Sequence, residues 1–329
     1  MRRLLLATLL VSASLLARAQ GDVRRADILL GLDLYMPVPD ENPLTREKAE
    51  LGRRLFFERR LSSDSTLACA TCHDPRRAFT DGRQVAVGVR GQQGTRSAPT
   101  IINRGYGRSH FWDGRARSLE QQALEPIANP KEMNLPIEEA VNRLARTKAY
   151  RDRFQVAFGR PVNGEDLARA LASYVRTILS GNSPLDRYMN GERRALSAQE
   201  RQGLAIFRGK GNCTACHVGP NLTDEQFHNT GVAWKDGELQ DPGRYAITRK
   251  EQDRGSFKTP TLREVSRTAP YMHDGSIRTL EEVIEFYDRG GNPNPYLDPE
   301  PRPLGLTPEE KQALLAFLKS LKGTILEGG

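Results

Sequence analysis

All four cysteines of this 329-residue chain lie in two copies of one motif, Cys-x-x-Cys-His. The first copy is Cys69-Ala-Thr-Cys72-His73 and the second is Cys213-Thr-Ala-Cys216-His217. This spacing is typical of covalent haem attachment, in which both thiols bond to a c-type haem and the histidine ligates its iron. The motifs therefore predict two bound haems, with His73 and His217 as iron ligands, and a function in redox chemistry.

The sequence around the two motifs is repeated. Each motif follows a Gly-x-x-Leu/Ile-Phe segment, at 52–56 and at 203–207, and a Thr-Asp pair follows each motif. A second block recurs at 99–120 and 260–281, with its Pro-Thr, Asp-Gly and Arg-x-Leu-Glu elements all offset by 161 residues. A repeat of this length predicts two related domains in tandem. Structural zinc or disulfide pairing would explain neither the histidines nor these repeated flanks.

Helix signals dominate the rest of the chain. Apolar periodicity predicts a helix from Asn163 or Gly164 that stops at Gly181, and capping boxes open further helices at 197–200 and 307–310. Residues 180–197 have the composition of an interdomain linker, and residues 290–305 that of a long surface loop. The expected fold is mainly α, with two tandem class I cytochrome c-like haem domains and long loops.

The N-terminus has the form of a cleavable export signal. Arg2 and Arg3 precede a short apolar run, and Ala17-Arg18-Ala19 fits a cleavage site. A membrane anchor is the weaker alternative, because a span needs about 20 apolar residues. We expect residues 1–19 to be removed and the protein to reside in the periplasm. Residues 20–185 would then form the N-terminal haem domain, and residues 186–329 the C-terminal one.

The formal net charge of +8 does not indicate nucleic-acid binding. Signal cleavage would remove three arginines and no acids, and four haem propionates would bring the charge to about +1. The basic residues are also scattered along the chain, which is typical of a solvated surface. No segment after the signal is apolar enough to predict a membrane span.

Function depends on the sixth ligand of each iron, because an open iron can activate a small oxidant whereas a six-coordinate iron mainly carries electrons. The helix expected after the second Asp-Gly turn contains Tyr287, and the matching residue of the first half is Pro126, which cannot ligate. This pattern favours an open first haem and a second haem capped by Tyr287, although a packed aromatic is the alternative. Other candidates are Met272, His273 and Met189; His110 and His228 are expected to be structural.

Several segments, taken in their order along the chain, resemble the bacterial di-haem cytochrome c peroxidase family, which includes MauG-type enzymes. The similarity extends from about Leu51 to Leu321 and rests on the two haem motifs and the segments 96–100, 111–116 and 269–275. It implies an oxidoreductase that reduces hydrogen peroxide with electrons from a small redox protein such as cytochrome c or a cupredoxin. The N-terminal domain would be peroxidatic and the C-terminal domain would transfer electrons.

The resemblance also implies roles for single residues. Trp112 matches a tryptophan that lies between the two haems of the family. Gln122 and Glu132 match residues of the peroxide pocket, with Glu132 as the acid/base and Gln122 orienting the peroxide. Tyr287 matches the second-haem ligand, which is tyrosine in MauG-type members and methionine in ordinary peroxidases. The backbone carbonyls of Thr268 and Pro270 match ligands of an interdomain calcium ion.

Three positions depart from the family pattern. Residues 88–94 lack the histidine that caps the first haem of ordinary members, which implies a permanently open iron. Ser97 replaces a calcium-binding asparagine, although carbonyls and waters still suit calcium. Gly211 replaces a tryptophan that MauG-type enzymes have two residues before the second motif. Gly211 therefore argues against identical substrate chemistry, whereas Tyr287 and the missing histidine support MauG-like oxidation of protein side chains as an alternative function. A di-haem electron carrier is a second alternative.

Overall fold

A computed structural model describes residues 29–328, so the expected signal peptide at 1–19 lies outside the described residues. The helices are α1 (Arg46–Phe56), α2 (Cys69–Cys72), α3 (Leu119–Ala128), α4 (Ile137–Ala145), α5 (Lys148–Phe158), α6 (Gly164–Arg176), α7 (Pro184–Met189), α8 (Ala198–Arg208), α9 (Tyr245–Thr248), α10 (Leu280–Asp288) and α11 (Pro308–Lys319). The strands are short: β1 (Leu179–Gly181), β2 (Phe227–His228), β3 (Trp234–Lys235), β4 (Glu238–Leu239), β5 (Phe257–Lys258) and β6 (Thr324–Leu326). They pair antiparallel as β1–β6, β2–β5 and β3–β4. The expected mainly helical class is confirmed.

A pair of crossing helices organises each half, α1 with α6 in the first and α8 with α11 in the second. A Cβ atom at Gly52 would collide with the carbonyl oxygen of Ala170, and one at Gly203 would collide with that of Ala313. Next to each crossing, two aromatic rings pack with centroids about 5 Å apart, Phe56 with Tyr174 and Phe207 with Phe317. The repeated Gly-x-x-Leu/Ile-Phe segment therefore encodes the same close helix contact twice.

Each half also has its own hydrophobic cluster, one formed mainly by residues 51–178 and the other by residues 185–321. The predicted boundary after residue 185 falls inside α7, whose Leu185 packs into the second cluster. Ile325 of β6 returns to pack against the first cluster. The C-terminal strand therefore fastens the end of the second half to the first, and the domain bounds stay a prediction.

The connection between the halves is more ordered than the sequence suggested. Helix α6 ends at Arg176 rather than at Gly181, because the next residues form β1 and pair with β6. Asp186 of α7 is buried and accepts hydrogen bonds from the Arg263 guanidinium at 2.8 and 3.0 Å. A buried ion pair with this geometry holds the connection in place, so residues 180–197 are not an open linker.

The predicted capping boxes are confirmed at the starts of α8 and α11, where Ser197 pairs with Glu200 and Thr307 with Glu310. Helix α10 begins in the same way at Thr279. Within residues 29–328, no helix combines the length and the apolar composition needed to cross a bilayer.

Reciprocal hydrogen bonds join the two halves. The backbone N–H of Ser97 donates to the carbonyl of His273 at 2.7 Å, and the backbone N–H of Lys258 donates to the carbonyl of Trp112 at 2.8 Å. The 161-residue offset relates Ser97 to Lys258 and Trp112 to His273. Each half therefore uses the same two positions to bind the other, so the interface has approximate two-fold symmetry.

Candidate functional site

Both haem-attachment motifs open into one cavity of about 750 Å³ between the two halves. Most of its exposed wall surface is apolar, and polar and charged side chains, including His73 and His217, also line it. A large, mostly apolar cavity with polar groups at particular points suits a bulky, flat cofactor. The cavity therefore suits the cofactor that the motifs predict.

The two motif histidines have the same environment. The Nδ1 atom of His73 lies 3.1 Å from the carbonyl oxygen of Phe79, and that of His217 lies 2.9 Å from the carbonyl oxygen of Leu222. Burial lowers the pKa of both rings, which favours neutral imidazole. With Nδ1–H donating to a carbonyl, the Nε2 lone pair is left for a metal, as in other oriented histidine ligands.

The cysteines lie on matching turns. The backbone N–H of His73 donates to the carbonyl of Cys69 at 3.0 Å, and that of His217 donates to the carbonyl of Cys213 at 2.9 Å. All four cysteines are unpaired, half-buried and in the cavity wall. Thiols and imidazole side by side on the same cavity fit covalent haem attachment at both motifs.

The predicted peroxide-pocket residues share this cavity with His73. Gln122 of α3 and Glu132, which follows the same helix, both line it. The Glu132 carboxylate is half-buried and accepts a hydrogen bond from the Asn129 side chain at 3.0 Å, and burial raises its pKa. The geometry is compatible with proton transfer by Glu132, and the roles of both side chains stay predictions.

The loop at 88–94 packs against the Glu132 segment. The backbone N–H of Val89 donates to the carbonyl of Glu132 at 2.8 Å, and a Cβ atom at Gly88 would collide with the carbonyl of Lys131. The Arg90 side chain at the tip of the loop is exposed. The loop therefore supports the backbone of the predicted acid/base residue.

Trp112 lies where the halves meet. Its indole N–H donates to the carbonyl of Ser97 at 2.9 Å. Its backbone carbonyl accepts a hydrogen bond from the backbone N–H of Lys258, which belongs to the other half. The neighbouring Asp113 carboxylate accepts from Arg96 at 2.6 Å, and Arg96 also binds Asp241 of the second half through two nitrogens. Trp112 is thus held rigidly in the cavity shared by the two motifs.

The candidate sixth ligands of the second haem differ in their position relative to the cavity and in their packing. Tyr287 of α10 lines the cavity, and burial raises the pKa of its phenol to about 12. Met272 and His273 also line it, but the His273 ring is engaged in stacking on Phe257 with centroids 3.5 Å apart. Met189 is 60% exposed and lies outside the cavity wall, so it is unsuitable. Tyr287 and Met272 remain the two candidates.

The predicted calcium carbonyls belong to Thr268 and Pro270, and both residues lie in the wall of the same cavity. Ser97, at the position of the family's asparagine, is engaged through its N–H with His273. Calcium binding stays a prediction. At Gly211, a Cβ atom would lie 2.9 Å from the carbonyl oxygen of Ile206 and 3.3 Å from Cys213 Sγ, so this position has little room for a side chain.

Sequence reasoning missed a group of charged side chains at the cavity. His228 lies between Asp298 and Asp224, with ring nitrogen to carboxylate distances of 2.7 and 2.9 Å. Hydrogen bonding to Asp298, then to the Cys216 thiol and to Asp224, raises its pKa to about 11. Asp298 belongs to residues 290–305, so describing that segment as a surface loop was wrong in part. Lys258 was also missed, although it occupies the position that matches Ser97 in the repeat. Comparing the two repeats position by position is the signal that could have found it.

The helical fold and the paired motifs define a two-domain cytochrome with two c-type haems. Residues 46–194 match the family model described as di-haem cytochrome c peroxidase, and residues 200–322 match the cytochrome c model. Among relatives, methylamine utilization protein MauG of Methylorubrum extorquens is 40% identical over 87% of this chain and 81% of its own. Cytochrome c551 peroxidase of Nitrosomonas europaea is 35% identical over 95% of this chain and 91% of its own. The chain therefore belongs to the di-haem cytochrome c peroxidase family.

Solved structures agree with this assignment. A MauG-like protein associated with microbial copper homeostasis superposes with a TM-score of 0.82 at 36% identity, covering 89% of this chain and 95% of that one. The di-haem peroxidase BthA of Burkholderia thailandensis gives a TM-score of 0.74 at 27% identity, covering 86% and 87%.

Proposed function

We propose that this protein reduces hydrogen peroxide to water with two electrons taken one at a time from a small redox protein, such as cytochrome c or a cupredoxin. The observation that carries the proposal is that Gln122, Glu132 and Trp112 share one cavity with both haem-attachment motifs. Relatives named cytochrome c551 peroxidase support the same activity. The protein would act in the periplasm after removal of residues 1–19, with residues 20–185 peroxidatic and residues 186–329 receiving electrons.

The haems, when bound through the two motifs, would supply iron that exchanges electrons and, at His73, the site where peroxide is cleaved. Glu132 accepts the proton from one oxygen of peroxide and delivers it to the other oxygen, which leaves as water. Gln122 holds the peroxide in the orientation that this transfer needs. Two further protons and two electrons complete the second water. Positioned acid/base groups of this kind contribute about 10²–10⁴-fold to a rate.

Electron transfer between the two halves is assigned to Trp112, which hydrogen-bonds to both of them. Tyr287 is assigned as the sixth ligand at the second iron, where an anionic phenolate would favour higher oxidation states than methionine does. A calcium ion held by the carbonyls of Thr268 and Pro270, with waters completing its shell, would stiffen the interface.

A second candidate function is MauG-like oxidation of protein side chains. Tyr287 and the histidine-free loop at 88–94 favour it. Gly211 opposes it, because the collision of a side chain with Ile206 leaves little room for an aromatic residue on the same route. Peroxide reduction is therefore the better-supported activity.

The test is steady-state consumption of peroxide by the oxidised protein with a reduced cytochrome c or cupredoxin as donor. We expect turnover with two donor molecules oxidised per peroxide and no need for prior reduction. Absence of turnover with both donors, together with peroxide-dependent modification of an added protein, would favour the MauG-like activity. Two permanently six-coordinate irons would instead indicate an electron carrier.

A further inference from the structure

Lys258 is a buried lysine on β5 whose side chain is 9% exposed and lines the haem cavity. Its Nζ atom lies 3.8 Å from Glu225 Oε1, which is too long for a hydrogen bond. Within residues 29–328, the ammonium group donates no hydrogen bond. A buried lysine almost always has a partner, so we expect this ammonium to bind water or an anion that occupies the cavity.

The nearest carboxylates are already engaged. Glu225 accepts from the Arg104 guanidinium at 2.6 and 3.1 Å and from the backbone N–H of Arg108 at 3.2 Å. Asp224 is bound to His228. Arg104 therefore compensates Glu225, and the Lys258 ammonium has no carboxylate oxygen within hydrogen-bond distance. Burial, followed by repulsion from Arg104, lowers the pKa of Lys258 to about 7, and an anion in contact would reverse that effect.

We propose that Lys258 binds a propionate carboxylate of a haem held in this cavity. Two haems attached at the motifs would carry four such carboxylates, and each one that lies away from water would need a hydrogen-bond donor or a cation. The backbone N–H of Lys258 also binds the carbonyl of Trp112. The lysine would therefore fix the cofactor relative to the tryptophan at the domain interface. The inference rests on haem attachment and family membership, and it does not require peroxide to be the substrate.

The repeat makes the inference specific. The residue that matches Lys258 in the first half is Ser97, which carries no charge. The approximate symmetry of the interface is therefore broken by one positive charge at this position. We expect that charge to act on the reduction potential of one haem much more than on that of the other.

The experiment is potentiometric titration of both haems in the holoprotein, with and without Lys258→Met. Loss of a cation near an iron favours its oxidised state, so one midpoint potential should fall while the other stays near the wild-type value. The resonance Raman band of propionate bending should also shift. Lys258→Arg should restore both readouts, and Lys148→Met, at a side chain that is 79% exposed, should change neither.

The proposal is overturned if Lys258→Met leaves both potentials and the Raman band unchanged. It is also overturned if the wild-type potentials depend on the identity of the buffer anion and the Raman band does not move, because Lys258 would then bind a free inorganic anion. If Lys258→Met fails to fold with two haems, Lys258→Gln serves in its place with the same expectations. None of these measurements uses peroxide, so failure of the proposed peroxidase activity would be recognised separately.

Discussion

Glu132 is the residue on which the proposed peroxide chemistry would depend most directly. Its carboxylate is half-buried at the cavity, where its one side-chain partner in the described chain is Asn129. Glu132→Gln keeps the shape and removes the proton acceptor, so we expect kcat/KM for peroxide to fall by about 10²–10⁴-fold. Steady-state kinetics with a reduced donor measures this change. Glu138→Gln, at an exposed position of α4, is the matched control and should leave the rate unchanged.

The pH profile gives an independent check on the same residue. Burial raises the pKa of Glu132, and the form that accepts a proton is the carboxylate, which predominates above that pKa. Activity should therefore decline as the pH falls through a value above the usual range for glutamate. Glu132→Gln should abolish this acidic limb, and an unchanged limb in the variant would assign it to another group.

Tyr287→Met tests the ligand at the second iron. Replacing an anionic phenolate with a thioether should raise the reduction potential of one haem, since methionine ligation favours the reduced state. Potentiometry combined with near-infrared magnetic circular dichroism detects both the shift and the new ligand. Tyr35→Met, at a side chain that is 77% exposed, should have no effect. An unchanged second haem in Tyr287→Met would leave Met272 as the ligand candidate.

Some residues of the site could be predicted from the sequence and others could not. The motif cysteines and histidines were identifiable because their spacing is local. Tyr287 was found by comparing the two repeats, and Glu132 and Gln122 were found only through resemblance. Asp298 was not found, because its partner His228 lies 70 residues away in the sequence and the segment that contains Asp298 has no regular pattern. Such long-range pairs depend on the tertiary fold and leave no periodic signal.

Among the elements, the loop at 88–94 has the clearest consequence for activity. A Cβ atom at Gly88 would collide with the backbone of residues 131 and 132. Gly88→Ala should therefore destabilise the protein by about 1–3 kcal/mol and reduce peroxide turnover by displacing Glu132. Denaturant unfolding and steady-state kinetics measure the two effects.

Gly94→Ala is the control for that loop, because its Cβ atom would lie 3.5 Å from the carbonyl oxygen of Ala86, an ordinary contact. It should behave like the wild type. Equal effects of Gly88→Ala and Gly94→Ala would mean that the loop tolerates no side chain for reasons unrelated to Glu132.

Helix starts were predicted better than helix ends. Capping boxes such as Ser197 with Glu200 are complete within four residues, so the sequence contains the whole signal. The end of α6 at Arg176 depends on β1 pairing with a strand about 145 residues later along the chain. When a helix ends because the following residues pair with a distant strand, its end cannot be located from its own residues.

For the whole molecule, the coordination of the two irons decides between enzyme and electron carrier. We expect the fully oxidised protein, before any reductant, to show one high-spin and one low-spin ferric signal by electron paramagnetic resonance. The physical reason is that the loop at 88–94 offers no ligand to the first iron, whereas Tyr287 is available to the second. Two low-spin signals would mean that another side chain caps the first iron.

The tandem architecture was predictable because the repeat extends over most of the chain. The way in which the halves dock was not, since a repeat predicts two similar units and says nothing about their mutual orientation. The hydrogen bonds from Ser97 to His273 and from Lys258 to Trp112 became recognisable as one contact used twice only in the folded protein.

That exchanged contact has a historical consequence. Two identical surfaces that bind each other through the same positions are characteristic of a homodimer. An ancestral protein with a single haem would have paired with its own copy in this way, and duplication followed by fusion of the gene would have joined the copies covalently. With both copies on one chain, matching positions can carry different residues, as Ser97 and Lys258 do, so the two haem sites need not stay alike.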